Sequence, residues 1–76
     1  MIDLDELPQE GTYPVKDIAY LPIIPRDTHD VVTIGYVNVE GNEFIQVLTL
    51  SPNDYSSHYA VLIRQSVNGK LPQNRM

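Results

Sequence analysis

The most compact group of side chains that could do chemistry is formed by Asp27, His29 and Asp30. An imidazole between two carboxylates could bind zinc or another divalent ion, and a His–Asp pair could serve as general acid and base. A complete metal site would need a further ligand, such as His58. The alternative is a solvated turn in which the two aspartates accept hydrogen bonds from nearby backbone amides. We favour the turn and predict neither a metal nor another cofactor.

A second group, Ser56-Ser57-His58, contains the residue types of a serine hydrolase. Nucleophilic catalysis requires a serine and a histidine that face each other, an orienting third group and an oxyanion hole. Neighbours in sequence point in different directions, and the chain has no G-x-S-x-G motif. Its four glycines are too scattered to build a nucleotide-binding loop. We therefore predict that the protein is not an enzyme and has no catalytic residues.

Four acidic residues lie close together near the start of the chain: Asp3, Asp5, Glu6 and Glu10. They lack the glycine and the late glutamate of an EF-hand loop, so a calcium site is not expected. A cluster of carboxylates can instead steer a positively charged protein into contact. We predict that Asp3, Asp5 and Glu6 belong to a partner-binding surface.

Tyrosine dominates the aromatic residues, and it is enriched at protein interfaces because it buries a large area and keeps a polar tip. The aromatic residues are Tyr13, Tyr20, Tyr36, Phe44, Tyr55 and Tyr59. We expect Tyr55 and Tyr59 to lie in the core. Tyr20 and Tyr36 are the predicted partner-binding tyrosines.

Composition excludes several classes of protein. A chain of 76 residues forms one small domain, here residues 1–76, and its 42% hydrophobic content opposes wholesale disorder. The absence of cysteine excludes a disulfide framework and favours a cytoplasmic protein. No apolar run approaches the roughly 20 residues of a membrane span, and the acidic start does not resemble a signal peptide. The net charge of −5 disfavours nucleic acid as a partner, because phosphate-binding surfaces are usually basic.

The clearest structural pattern is a β-hairpin over residues 31–50. β-Branched and aromatic residues fill both halves, and Gly41 lies where a tight turn needs a positive φ. Both faces of the hairpin are apolar, so each needs cover from a helix, from barrel closure or from another subunit. Before the hairpin we expect an acidic lead-in over 1–10 and an edge strand over 11–25 with a break near residues 16 and 17.

The region after the hairpin has two interpretations. Ser51 and Pro52 resemble a helix start, and residues 52–67 place apolar side chains on one helical stripe. The run YAVLIRQSV nevertheless has the composition of a strand. We favour the helix, followed by a mobile tail over 70–76. The predicted fold is α+β: a three-stranded antiparallel sheet with the central hairpin 31–50, covered by one C-terminal helix. The alternative is a small all-β barrel of the OB or SH3 type.

Two short stretches carry a resemblance to a known class. Leu7-Pro8 followed by Gly11-Thr12-Tyr13-Pro14-Val15 resembles the opening strand of small β-barrel proteins, including phage-type single-strand binding domains of the OB fold. The resemblance implies a barrel that stacks bases on its tyrosines.

These observations lead to three functional hypotheses. The first is a non-catalytic protein-binding module, such as an inhibitor, adaptor or accessory factor of the kind that phages encode, whose acidic, tyrosine-bearing surface engages a basic patch on a larger protein. The second is a barrel that binds single-stranded nucleic acid. This hypothesis predicts that Tyr36 or Phe44 lies exposed beside a cationic side chain. The third is a structural subunit of a homo-oligomer that buries its two-sided hairpin between copies.

Overall fold

The computed structural model describes residues 1–27, 29–52 and 57–73, which fold into two β-sheets. Two short 3-10 helices, Leu4–Glu6 and Val15–Asp17, connect strands. The strands in chain order are β1 (Ile2–Asp3), β2 (Gly11–Pro14), β3 (Ile18–Ala19), β4 (Val31–Glu40), β5 (Glu43–Ser51) and β6 (Tyr59–Gln65). Within the described ranges, no helix is long and apolar enough to cross a membrane.

The larger sheet is antiparallel and has the strand order β2-β4-β5-β6. The hairpin expected over residues 31–50 forms its centre as β4 and β5, with Val32 opposite Leu50 and Ile34 opposite Leu48. The turn between the two strands contains Gly41 at a φ of 60°, a conformation that glycine adopts without steric cost.

The smaller sheet and the two 3-10 helices cover one face of the larger sheet, and we call them the cover. The smaller sheet consists of β1 and β3, which run parallel and pair Ile2 with Ile18. The 3-10 helix Val15–Asp17 separates strands β2 and β3, in agreement with the break expected near residues 16 and 17. The cover contributes Leu4, Val15 and Ile18 to the core. The larger sheet contributes Val32, Ile34, Leu48 and Leu50.

The two faces of the larger sheet differ in cover. On the covered face, Val32 and Leu48 are fully buried beneath the N-terminal segment. On the opposite face, which we call the open face, Val37 is 56% exposed and Ile63 is 63% exposed. Gly35 lies on the open face in the same row as Ile63, because both residues pair with Val47. We expected both apolar faces of the hairpin to be covered. Among the described residues, only one face is covered.

The predicted helix over residues 52–67 is wrong, and with it the predicted α+β fold. The chain forms the strand β6 over Tyr59–Gln65, and more than half of the structure is strand, with no helix of seven or more described residues. Pairing with β5 satisfies the edge of the hairpin and places Leu62 opposite Leu48, which a helix could not do. The β-branched composition of this segment therefore prevailed over its helical stripe. Residues 53–56 of the predicted helix lie outside the described residues.

Two further expectations need correction. The sheet has four strands rather than three, because β6 joins it. The alternative, a small barrel, matches the high strand content, but the described strands pair in two separate sheets with β2 and β6 as the edges of the larger one. Tyr59, expected in the core, is exposed, because it lies on the edge strand β6. Tyr55 lies outside the described residues.

Candidate protein-binding groove

An open groove of about 410 Å³ lies at the end of the covered face that is nearest the hairpin turn. One wall is the segment before β2, and the floor is formed by side chains of β4 and β5. The residues that line it are Leu7, Pro8, Gln9, Glu10, Tyr36, Asn38 and Phe44. The lining is mainly apolar and contains one ionisable carboxylate, that of Glu10.

The wall of the groove is held by its own contacts with the sheet. Leu7 has a φ of 56°, and this left-handed conformation ends the first 3-10 helix and turns the chain. The Tyr36 hydroxyl donates a hydrogen bond of 2.6 Å to the carbonyl oxygen of Pro8. The Tyr36 ring meets the Phe44 ring edge to face at 5.9 Å between centroids. These contacts fix the position of the wall relative to the floor, so the groove is preformed.

Glu10 stands where the wall meets the sheet. Its Oε1 accepts a hydrogen bond of 3.0 Å from the backbone N–H of Tyr36. The neighbouring Gln9 carbonyl accepts a hydrogen bond of 2.6 Å from the Tyr13 hydroxyl. The carboxylate therefore caps the edge of β4 at the position where β2 has not yet begun, and it puts a negative charge on the groove.

The Tyr36 hydroxyl is protonated at neutral pH. Burial raises the pKa of Tyr36 above its ordinary value of 10.0, with smaller contributions that include the hydrogen bond from Gln46, which opposes the rise. The phenol thus remains a donor to Pro8 over the whole physiological range. A phenolate there would lose that bond, because a carbonyl oxygen cannot donate in return.

Beside the groove, a buried polar network locks the cover onto the sheet. Arg64 lies 2.6 Å from Asp5 Oδ1, and its Nε donates to Gln46 Oε1 at 2.9 Å. Gln46 in turn donates to the carbonyl oxygen of Leu4 at 2.9 Å. Arg64 also donates to the carbonyl oxygen of Pro72, so the network joins both ends of the described chain. It serves the fold, because its central side chains, Arg64 and Gln46, are buried.

The predicted partner-binding residues are not gathered on one surface. Asp5 pairs with Arg64, and Asp3 Oδ1 accepts from the Asp5 backbone N–H as the cap of the first 3-10 helix. Glu6 is exposed next to Leu7, and Tyr20 is exposed in a separate turn with a φ of 59°. Tyr36 lines the groove.

The Asp27–His29–Asp30 group forms a turn. Asp27 Oδ1 accepts from the His29 backbone N–H at 2.9 Å and lies 3.0 Å from its Nδ1. The hydrogen bond from the His29 backbone is the main reason that the pKa of Asp27 is lowered. Asp30 is buried, and its carbonyl accepts from Val15. Over the part of the chain that the structure describes, no three His, Asp or Glu residues are placed to share a metal ion.

The residues of the hydrolase-like group are only partly described. Ser56 lies outside the described residues, and Ser57 and His58 are exposed just before β6. No serine–histidine hydrogen bond is found among the residues that are described.

Sequence reasoning missed the wall of the groove. Leu7, Pro8 and Glu10 belong to the expected acidic lead-in, and Phe44 is predicted only as a possible base-stacking residue. The signal that could have found them is the pair Leu7-Pro8, because a proline three residues before the β-strand start at Gly11 diverts the chain from the sheet edge. No family model, curated protein or solved structure matches this chain.

Proposed function

We propose that the protein is a non-catalytic binding module whose groove receives an extended segment of another protein. The observation that carries this proposal is the groove itself, which is preformed, mainly apolar and open to solvent at the end of the covered face. Leu7 is 44% exposed at its rim. A bound apolar side chain would bury Leu7 together with the faces of Tyr36 and Phe44.

The charge of the groove selects the partner. Glu10 is the acidic residue of its lining, and Glu6 and Glu40 are exposed on the adjoining segments. Arg64, the basic residue of the network beside the groove, is paired with Asp5. A segment that carries lysine or arginine beside an apolar residue therefore complements the groove, whereas an acidic segment is repelled.

The nucleic-acid hypothesis receives less support from the geometry. It expects an exposed aromatic ring beside an available cation. Tyr36 and Phe44 are half-buried and engage each other, and Arg64 is buried in the polar network. The carboxylate of Glu10 would face the phosphates of a strand stacked in the groove.

The proposal is tested by titrating the protein into a fluorescently labelled peptide of about eight residues in which lysine alternates with valine and leucine. A matched peptide carries glutamate at each lysine position. We expect saturable binding of the lysine peptide with a Kd below about 1 mM, and binding that weakens several-fold between about 50 and about 200 mM salt. We expect no saturable binding of the glutamate peptide.

Two protein variants locate the binding surface. Leu7→Asn suits the left-handed backbone and removes the apolar rim, so it should weaken binding about fivefold or more. Ile63→Asn makes a similar change on the open face, on β6 away from the groove, and should leave the Kd within about twofold. Equal effects of the two variants, or a lysine peptide that does not bind, would overturn the proposal.

A further inference from the structure

Beside the groove, one edge of strand β4 pairs with no other strand of the described residues. Strand β2 pairs with β4 only from Pro14 opposite Val31 to Gly11 opposite Ile34, whereas β4 continues to Glu40. Past Ile34, the residues whose backbone groups point to this side are Tyr36 and Asn38, because these alternate with the residues that bond to β5. The Tyr36 N–H is capped by Glu10. Strand β2 does not reach the outward backbone groups of Asn38, because its pairing ends at Gly11 opposite Ile34.

The segment before β2 turns away from this edge of β4. If β2 extended backwards in the same register, residues 9 and 7 would lie opposite Tyr36 and Asn38. Instead the chain turns at Leu7 and passes over the covered face, where Pro8 accepts the hydrogen bond of the Tyr36 hydroxyl. The groove is the space between the diverted segment and the edge that it would otherwise have paired with.

We infer that the partner segment binds as an added β-strand, antiparallel to β4, in line with β2. This inference rests on the proposed function and names its binding mode. The backbone of the segment would donate to the carbonyls of Tyr36 and Asn38 and accept from the Asn38 N–H. Its alternate side chains would enter the groove between Leu7 and Phe44, and its basic residues would approach Glu10. Strand addition of this kind combines backbone affinity with side-chain selection.

Both ends of the added strand are limited by features of the fold. At one end, the carboxylate of Glu10 occupies the Tyr36 N–H. At the other end, β4 has an irregularity between Asn38 and Glu40, where the register with β5 shifts. A bulge of this kind bends the strand and ends regular pairing. The site therefore accepts a short strand, and exposed Glu40 adds a second negative charge at its far end.

The experiment uses two N-methylated versions of the lysine peptide. One version is methylated on the odd-numbered residues and the other on the even-numbered residues, so each removes the N–H groups of one edge. We expect one version to lose about tenfold or more in affinity and the other to stay within about threefold, because an added strand uses one edge only. Equal affinity of the two versions, when the unmethylated peptide binds, overturns strand addition and leaves the proposed function standing. Failure of the unmethylated peptide to bind overturns both.

Amide hydrogen exchange places the strand on the protein. With the peptide at saturation, the Asn38 amide should gain protection of about tenfold or more. The Ile63 amide serves as the control, since it lies on β6 and points away from β5, at the other unpaired edge of the sheet. Protection of Ile63 without protection of Asn38 would show that the peptide pairs with β6, and would overturn the assignment to β4.

Discussion

The two faces of the larger sheet contain similar apolar residues, but one face is buried and the other is exposed. Val32 and Val37 lie on the same strand; the first is fully buried and the second is 56% exposed. The difference comes from the segment before β4, which packs Leu4, Val15 and Ile18 on one face only. Apolar alternation thus shows which side chains share a face, but the available cover decides which face becomes core.

The faces also differ in their polar groups. The covered face contains Gln46 and Arg64, which bind the Leu4 carbonyl and Asp5 of the cover. Such groups are costly to bury and therefore require their partners to be in place. The open face has the glycine Gly35 at a central position, where an added Cβ would meet no atom within 4 Å. The side chains of the covered face are therefore fixed by their contacts, whereas the open face has room for a larger side chain at Gly35.

The largest effect is expected from the charged pair on the covered face. Arg64→Met keeps an apolar stem of similar length but removes the guanidinium that Asp5 contacts. We expect it to lower the free energy of unfolding by about 3 kcal/mol. This is the lower end of the range for buried pairs, because Asp5 retains some exposure. Urea denaturation measures this loss.

The control for this variant is the double substitution Asp5→Asn with Arg64→Met. Since it also removes the carboxylate that contacts Arg64, we expect it to recover at least about half of the lost stability. A single variant that loses less than about 1 kcal/mol would mean that the pair does not hold the cover in place.

A matched pair of valines tests the two faces directly. Val32→Ala removes two buried methyl groups and leaves a cavity, so it should lower the free energy of unfolding by about 2 kcal/mol or more. Val37→Ala on the same strand should cost about 0.5 kcal/mol, chiefly through lower β-propensity. Similar losses in denaturation midpoints would show that the open face is covered in solution, for example by another copy.

The smallest effect is expected at a glycine and has the opposite sign. Gly35→Ala should raise the free energy of unfolding by about 0.5–1 kcal/mol, because glycine weakens a strand interior and the added methyl group meets no atom. Gly41→Ala is the control: it also meets no atom within 4 Å, but its φ of 60° should make it destabilising. Thermal unfolding of both variants checks the prediction, and a destabilising Gly35→Ala would contradict it.

The central hairpin was predictable because its information is local. The β-branched runs and Gly41 specify the strands and the turn without help from the rest of the chain. Strand β6 was not, since its sequence is compatible with a helix and only its pairing with β5 decides the outcome. Local pattern predicts an element where the element needs no distant partner.

The candidate site was harder to predict than the fold. Tyr36 was identified as a partner-binding residue, and it lines the groove. Asp5 was assigned to the same surface, but no sequence pattern announces that its partner is Arg64, near the other end of the chain. The groove depends on the divergence of Pro8 from the sheet edge, which is a tertiary event.

The polar network across the covered face has a consequence for how the protein is made. Gln46 and the Leu4 carbonyl that it binds are 42 positions apart in the chain, and Asp5 must wait still longer for Arg64. On the ribosome, the N-terminal segment therefore emerges long before the sheet that it covers. Because contacts between distant positions form slowly, we expect the docking of this segment to limit the rate of folding. Leu4 stays accessible to chaperones at least until β4 and β5, which supply its buried core partners, have been synthesised.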